Sequence, residues 1–292
     1  MMTREAFADL CRAGWVLLDG ATGSNLRAAG MPVGVCVEAW VLEHPQVLLE
    51  LQRAYIRAGS QIIYAPTFGA NRVNLARYGL DARADEMNRA LLARSREAAS
   101  VSNVLIAADI STTGLRLDAG EISYDALMDV YRAQAQVLAD EGVDLFAIET
   151  MLGVDECSAA IEAIRDVCDL PIICTLTLDG TGKAYFDGDA ELAAQQLPQL
   201  GADAVGVNCG HGPALYTNVV ANMAAHATVP IVCKPNAGMP QILPDGSARY
   251  DMTPAEFTAQ MLKIRTAGAT LLGGCCGTTP EYIRALHKAL QE

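Results

Sequence analysis

The sequence predicts an α/β fold, a single (β/α)8 TIM barrel, and three observations lead to it. Short apolar runs recur along the 292 residues, and each is followed by a loop and a longer stretch of helical periodicity. Continuous apolar runs are typical of strands that are covered on both faces, as in a parallel sheet. No linker rich in proline, glycine or serine divides the chain, and α/β barrels commonly reach this length as one unit. We therefore expect residues 1–292 to form one barrel domain.

Eight strands and eight helices alternate in the predicted order. The strands are expected at 15–21, 61–67, 103–110, 143–150, 171–178, 202–209, 230–236 and 269–276. The helices are expected at 47–58, 84–99, 123–140, 154–167, 189–199, 213–226, 253–267 and 279–290. Thr253, Pro254 and Glu256 form a capping box that marks one helix start, and Thr278 or Thr279 before Pro280 marks another. An open doubly wound sheet is the alternative, but no G-x-G-x-x-G follows the first strand.

Composition narrows the class of function. The formal charge of −13 and the pI near 4.7 argue against a nucleic-acid partner, because no basic surface is available to neutralise phosphates. No run of about 18 apolar residues occurs, so the sequence predicts no membrane span. Nine cysteines form an odd number spread through a large chain, unlike a secreted disulfide scaffold. We expect a reducing, cytoplasmic location in which these thiols stay free.

Three cysteines fall at predicted strand ends, where barrel active sites lie. Cys209 ends the sixth strand, and Cys275 and Cys276 end the eighth. Three thiolates suit zinc and leave one coordination position open, as in a catalytic site. For Cys275 and Cys276 alone, a structural role, a vicinal disulfide or a redox dithiol remain alternatives, and His211 is an alternative metal ligand.

The glycines beside the cysteine pair are part of the same prediction. Gly273, Gly274 and Gly277 are expected to adopt backbone angles that other residues avoid. The chain could then turn as it leaves the barrel and direct both thiols inward.

Polar residues at other strand ends are candidates for substrate binding. Glu149 ends an apolar strand, where a carboxylate could hold a substrate ammonium or pair with a basic loop residue. Asp19 and Asp109 also end strands, and Asp19 precedes a glycine as a turn residue would. Thr67 ends the second predicted strand, and Asn236 ends the seventh.

Five motifs give the chain a family resemblance. They are Asp19–Gly23, Thr67–Asn71, Gly206–Cys209, Pro235–Gly238 and Gly273–Pro280. In this order, and over essentially the whole chain, they resemble the homocysteine S-methyltransferase family. Within it, the chain is similar to the homocysteine-binding barrel that forms the N-terminal module of cobalamin-dependent methionine synthase.

The resemblance implies an activity and a set of site residues. It implies that Cys209, Cys275 and Cys276 hold Zn²⁺, that the homocysteine sulfur is the fourth ligand, and that its methylation gives methionine. It also implies that Glu149 helps to hold the amino group of homocysteine and that Asp19 lies in the same pocket.

The methyl donor stays open at this point. No Asp-x-His-x-x-Gly corrinoid motif occurs. We also expect the barrel to use the length of the chain, with no residues left for domains that bind folate or cobalamin. A methionine-synthase-type module would receive its methyl group from methylcobalamin or methyltetrahydrofolate on a separate corrinoid protein. A stand-alone enzyme would use S-methylmethionine, S-adenosylmethionine or betaine, and a thiol-presenting subunit would be inactive alone. The chain departs from the family at Pro66 and at Ser111-Thr112-Thr113-Gly114, both near the predicted mouth of the barrel.

Overall fold

The computed structural model describes residues 2–243 and 248–292, and it confirms the barrel. Eight parallel strands form one sheet and a short hairpin lies outside it. In chain order the strands are β1 (Val16–Leu17), β2 (Ile62–Tyr64), β3 (Leu105–Ser111), β4 (Leu145–Met151), β5 (Ile172–Leu176), β6 (Ala204–Cys209), β7 (Ile231–Pro235), β8 (Gln241–Ile242), β9 (Ala248–Arg249) and β10 (Ala269–Leu272). The hairpin is the antiparallel pair β8 and β9.

The strand order shows that the sheet closes on itself. From β2 to β7 each strand pairs with the next in parallel, β7 pairs with β10, and β10 pairs with β1. Between β1 and β2, the Gln61 N–H donates to the Leu17 carbonyl oxygen at 2.7 Å, and the Leu17 N–H donates to Gln61 Oε1 at 2.8 Å. The open doubly wound sheet is therefore wrong for this chain, because the first and last strands of the sheet are neighbours.

Helices surround the sheet. They are α1 (Arg4–Arg12), α2 (Gly23–Ala28), α3 (Val37–Glu43), α4 (Pro45–Ala58), α5 (Arg72–Ala76), α6 (Ala84–Ala99), α7 (Tyr124–Asp140), α8 (Val154–Arg165), α9 (Ala190–Leu200), α10 (Pro213–His226), α11 (Pro254–Thr266) and α12 (Pro280–Gln291), with a 3₁₀ turn at Asp81–Arg83. All eight predicted helices are confirmed, and their ends differ from the prediction by two residues at most. The sequence did not predict α1, α2, α3 and α5.

The barrel interior is filled at its amino-terminal end. Strand residues two apart, such as Leu145 and Ala147 on β4, point inward and pack with Phe7 and Cys11 of α1. Phe7 is completely buried. Because α1 closes this end, the open space of the barrel lies at the carboxyl ends of the strands.

A membrane-spanning element is not among these helices. In the ranges 2–243 and 248–292, no helix combines the length and the apolar character that crossing a bilayer requires.

Candidate active site

The three cysteines predicted at strand ends come together. The Sγ atoms of Cys209, Cys275 and Cys276 all lie within 4.8 Å of one another, and those of Cys209 and Cys276 are 3.9 Å apart. All nine cysteines are free thiols in the structure. His211 is not part of this group of potential ligands among the described residues, and its Nδ1 atom lies 3.1 Å from Met239 Sδ.

Main-chain hydrogen bonds fix the loop that carries the adjacent pair. The Cys275 N–H donates to the Pro235 carbonyl at 2.8 Å, and the Cys276 carbonyl accepts from the Ala237 N–H at 2.9 Å. Thr278 Oγ1 donates to the Cys275 carbonyl at 2.7 Å. Two neighbouring thiols can therefore face the same cavity, because the chain has already left the extended conformation of β10.

The glycines around the pair act in two different ways. Gly277 has φ +82°, and a Cβ there would lie 2.3 Å from the Tyr250 ring. Gly273 and Gly274 do not have positive φ, so the expectation of unusual backbone angles is wrong for them. They are needed for close approach instead: a Cβ on Gly274 would lie 2.4 Å from Thr278 Oγ1, and one on Gly273 would lie 2.8 Å from the Asp19 carbonyl oxygen.

The three thiols differ in how readily they lose their protons. Interactions with the Cys209 and Cys275 thiols lower the pKa of Cys276 to about 3, so one sulfur is held as the thiolate. Hydrogen bonds with the Cys209 and Cys276 sulfurs, followed by burial, raise the pKa of Cys275 well above its usual value. A divalent ion would replace the two remaining protons. This donor set therefore fits a metal that prefers sulfur ligands.

A cavity of about 370 Å³ opens beside the thiols, which is the size of a small-molecule site. Its described lining consists of Asp19, Gly20, Ala21, Thr22, Gly23, Val37, Glu38, Tyr64, Pro66, Phe68, Asp109, Glu149, Thr150, Cys209, Lys234, Gly274, Cys275 and Cys276. Asp19 and Glu149 were predicted as substrate-binding residues, and both line it. Within the described residues, Thr67 and Asn236 do not.

Thr67 acts one layer behind the cavity wall. Its Oγ1 donates to the Asp109 carbonyl at 2.7 Å and accepts from the Asp109 N–H at 3.0 Å. Asn236 is also buried, and its N–H donates to the His211 carbonyl at 3.0 Å. Thr67 therefore positions a residue that lines the cavity.

Lys234 is a cavity residue that the sequence reasoning missed. It is 2% exposed, and its Nζ lies 3.2 Å from Asp19 Oδ1 and 3.3 Å from Glu149 Oε2. Burial lowers the pKa of Lys234, but the charges of Glu149 and Asp19 outweigh burial and raise it well above its usual value. The signal was a lysine inside an apolar strand, which must find a carboxylate partner when buried.

Asn208 links two strand ends across the mouth. Its Oδ1 accepts from the Thr150 N–H at 2.7 Å, and its Nδ2 donates to Thr150 Oγ1 at 2.8 Å. Nδ2 also lies 3.4 Å from Glu149 Oε2. Thr150 and Cys209 both have φ +59°, the left-handed region that side chains rarely adopt. The backbone is therefore strained where β4 and β6 meet the cavity, and Asn208 holds Thr150 in this conformation.

The loop at Ser111–Gly114, where the sequence suggested a departure from the family, is held by a carboxylate of α8. Glu156 of α8 accepts hydrogen bonds from Thr112 Oγ1 at 2.6 Å, from the Thr113 N–H and Oγ1 at 2.8 Å, and from the Tyr131 hydroxyl at 2.7 Å. The two threonines thus attach the loop after β3 to a buried carboxylate. Pro66, the other departure, is part of the cavity wall.

The fold and the site together define a barrel protein with a three-thiol group and an acidic cavity at the carboxyl ends of its strands, the end at which barrel enzymes carry their active sites. The chain belongs to the homocysteine S-methyltransferase family, because the model of that family matches residues 16–290.

Comparisons with individual proteins agree with this family. The chain is 29% identical over 289 residues to methionine synthase of Mycobacterium tuberculosis and 28% identical to that of Mycobacterium leprae. Each alignment covers 93% of this chain and 24% of the relative, so the chain spans about a quarter of their length. The crystal structure of the metallated homocysteine methyltransferase MmuM from Escherichia coli has the same fold. It gives a TM-score of 0.80 at 24% identity and covers 97% of this chain and 98% of that one.

Proposed function

We propose that residues 1–292 form a homocysteine-binding barrel domain that acts as a zinc-dependent homocysteine S-methyltransferase and produces methionine. The observation that carries this proposal is the group of three thiols within 4.8 Å of one another beside an acidic cavity. Membership of the family supports the acceptor. We further propose a cytoplasmic location, where nine free thiols would stay reduced.

Cys209, Cys275 and Cys276 would hold the Zn²⁺ ion. When bound, zinc supplies a thiol acceptor in its deprotonated form, which is the nucleophilic form. The chain's own contribution is to place the three sulfurs before the substrate enters, through the hydrogen bonds to Pro235 and Ala237 described above.

The cavity wall would orient the acceptor. Glu149 and Asp19 are carboxylates that can attract a substrate ammonium, and Lys234 holds both in place from within the barrel. Phe68 adds a partly exposed apolar side chain to the cavity wall. With the substrate thiol directed toward the mouth, a methyl donor could approach from outside the barrel. The sulfur would then lie in line with the bond between the methyl carbon and its leaving group.

For the donor, we propose methylcobalamin or methyltetrahydrofolate presented by a separate corrinoid protein. The support is the similarity to a quarter of the length of proteins named methionine synthase. S-methylmethionine, S-adenosylmethionine and betaine are the donors of the stand-alone alternative, and the support for that alternative is the shared fold with MmuM.

The test combines metal analysis with a donor panel. We expect protein purified under reducing conditions to hold one zinc ion, and Cys276→Ala to lose both zinc and activity. Cys168→Ala is the matched control, since Cys168 lies outside the ligand group. Zinc-free wild-type protein with full activity would contradict the proposal.

The donor panel separates the remaining possibilities. Homocysteine is supplied with each free donor in turn, and then with methylcobalamin or a methylated corrinoid protein. Methionine formed only in the corrinoid arm supports the proposed donor. Turnover with a free sulfonium or betaine donor would replace it with the stand-alone alternative. No turnover without a complete complex would make the chain a thiol-presenting subunit.

A further inference from the structure

The cavity holds more buried carboxylates than buried cations. Asp19, Glu38, Asp109 and Glu149 are 2%, 7%, 6% and 9% exposed, and among the described lining residues Lys234 supplies the one ammonium group. One ammonium thus faces four carboxylates, of which Glu38 accepts from the Gly69 N–H and the Cys36 thiol instead. Buried carboxylates are rarely found without a partner.

The donors of Lys234 are already in use. An ammonium group has three N–H donors. Lys234 Nζ approaches Asp19 at 3.2 Å, Glu149 at 3.3 Å and the centroid of the Tyr64 ring at 3.4 Å. The lysine therefore has no donor left for Asp109.

Asp109 is the carboxylate without a partner. Among the described residues, nothing forms a hydrogen bond with its buried Oδ1 atom. Burial, followed by the charge of Glu149, raises the pKa of Asp109 well above its usual value. Its main chain is nevertheless fixed on both sides by Thr67 Oγ1. A rigidly held and unpartnered acceptor in a ligand cavity indicates a partner that arrives with the ligand.

The position of Asp109 relative to Glu149 indicates which ligand group that partner is. The two residues lie on neighbouring strands, where Asp109 pairs with Ala147 and Ser111 pairs with Glu149. Both carboxylates face the cavity. A single ammonium group between them would donate to each and supply the missing positive charge.

We propose that Asp109 is a specificity-determining residue that binds the α-ammonium group of the thiol substrate together with Glu149. This inference rests on the proposed function. It assigns to Asp109 the selection of amino-acid thiols over thiols that lack the amino group.

The test compares two thiols on zinc-loaded protein by calorimetric titration. L-Homocysteine carries the ammonium group, and 4-mercaptobutyrate has the same thiol and carboxylate without it. We expect Asp109→Asn to weaken L-homocysteine binding about 10- to 100-fold, the effect of losing one charge-assisted hydrogen bond. The affinity for 4-mercaptobutyrate should change less than about threefold, which is the scatter of a neutral substitution.

A stability measurement excludes a merely structural role. Replacing an unpartnered buried carboxyl group by an uncharged amide of the same shape should leave the melting temperature of ligand-free Asp109→Asn equal to that of the wild type or higher. A structural carboxylate would lower it. Asp125→Asn, on the exposed first turn of α7, is the matched control and should alter neither affinity.

Two results would overturn the inference. One is an unchanged affinity of Asp109→Asn for L-homocysteine, and the other is an equal loss of affinity for both thiols. Failure of the proposed function looks different, because wild-type zinc-loaded protein would then bind neither thiol.

Discussion

Lys234 lies between Asp19 and Glu149, and all three side chains are buried. Its removal would leave two buried carboxylates without their cationic partner. We expect Lys234→Met to lower the free energy of unfolding by about 3–5 kcal/mol, the usual cost of breaking a buried ion pair. Urea denaturation at neutral pH measures this. Lys288→Met, on the exposed side of α12, should change stability by less than about 0.5 kcal/mol.

The same variant has a characteristic pH dependence. Burial raises the pKa of Asp19 and of Glu149, and Lys234 offsets part of this rise. Without the lysine, both folded-state pKa values rise further, so the folded state binds protons more readily than the unfolded chain. The stability deficit should therefore be largest at neutral pH and shrink as the pH falls toward about 4. A deficit that is constant from pH 7 to pH 4 would contradict this electrostatic cause.

Thr150 stores backbone strain, because a β-branched residue at φ +59° is outside its preferred regions. Thr150→Gly relieves the strain but loses the hydrogen bond from Asn208 Nδ2, whereas Thr150→Ala loses the bond and keeps the strain. We expect the glycine variant to be about 1 kcal/mol more stable than the alanine variant. Parallel urea titrations check this, and an alanine variant as stable as the glycine variant would show that the conformation costs little.

At the residue scale, the sequence predicted the thiols but not the groups that support them. Cysteines at strand ends can be found by reading one chain position at a time. The partners of Lys234 lie 215 and 85 residues away, and Asn208 reaches Thr150 across 58 residues. Such contacts depend on which strands are adjacent in space, and the apolar runs contain no information about side-chain pairing.

At the level of elements, Glu156 connects α8 to the loop after β3 and to α7. Glu156→Ala would leave the donors on Thr112, Thr113 and Tyr131 without their acceptor in a buried setting. We expect a loss of about 3 kcal/mol of stability and a higher KM for the acceptor, since the loop borders the mouth. Glu162→Ala on the same helix removes one partly buried bond from Tyr124 and should cost about 1 kcal/mol. Equal effects of the two variants would show that Glu156 has no special role.

Helix starts were predictable where a side chain caps the backbone. Ser123, Thr253 and Thr279 each accept a hydrogen bond from the first turn of the helix that follows, and Thr253 and Glu256 form the predicted capping box. The missed helices α2, α3 and α5 are five to seven residues long, too short for a clear period. Tertiary packing stabilises them, as the burial of Leu26, Val41 and Leu75 in one cluster shows.

For the whole molecule, the potential metal ligands come from two strands that are not neighbours. Cys209 ends β6, while Cys275 and Cys276 follow β10, and β7 lies between these strands. An ion shared by the three sulfurs would join segments 66 residues apart in the chain, across the intervening strand β7. Binding to the folded state alone therefore adds to the stability of the whole barrel.

Zinc at about 100 times its dissociation constant should stabilise the fold by about 2.7 kcal/mol. For a domain of this size, that corresponds to a rise of about 4 °C in melting temperature. Thermal unfolding under reducing conditions, with added Zn²⁺ and then with a chelator, measures the rise and its reversal. Cys276→Ala should lose the rise, because two sulfurs cannot complete the site, and Cys168→Ala should retain it. A rise that persists in Cys276→Ala would place the stabilising zinc elsewhere on the chain.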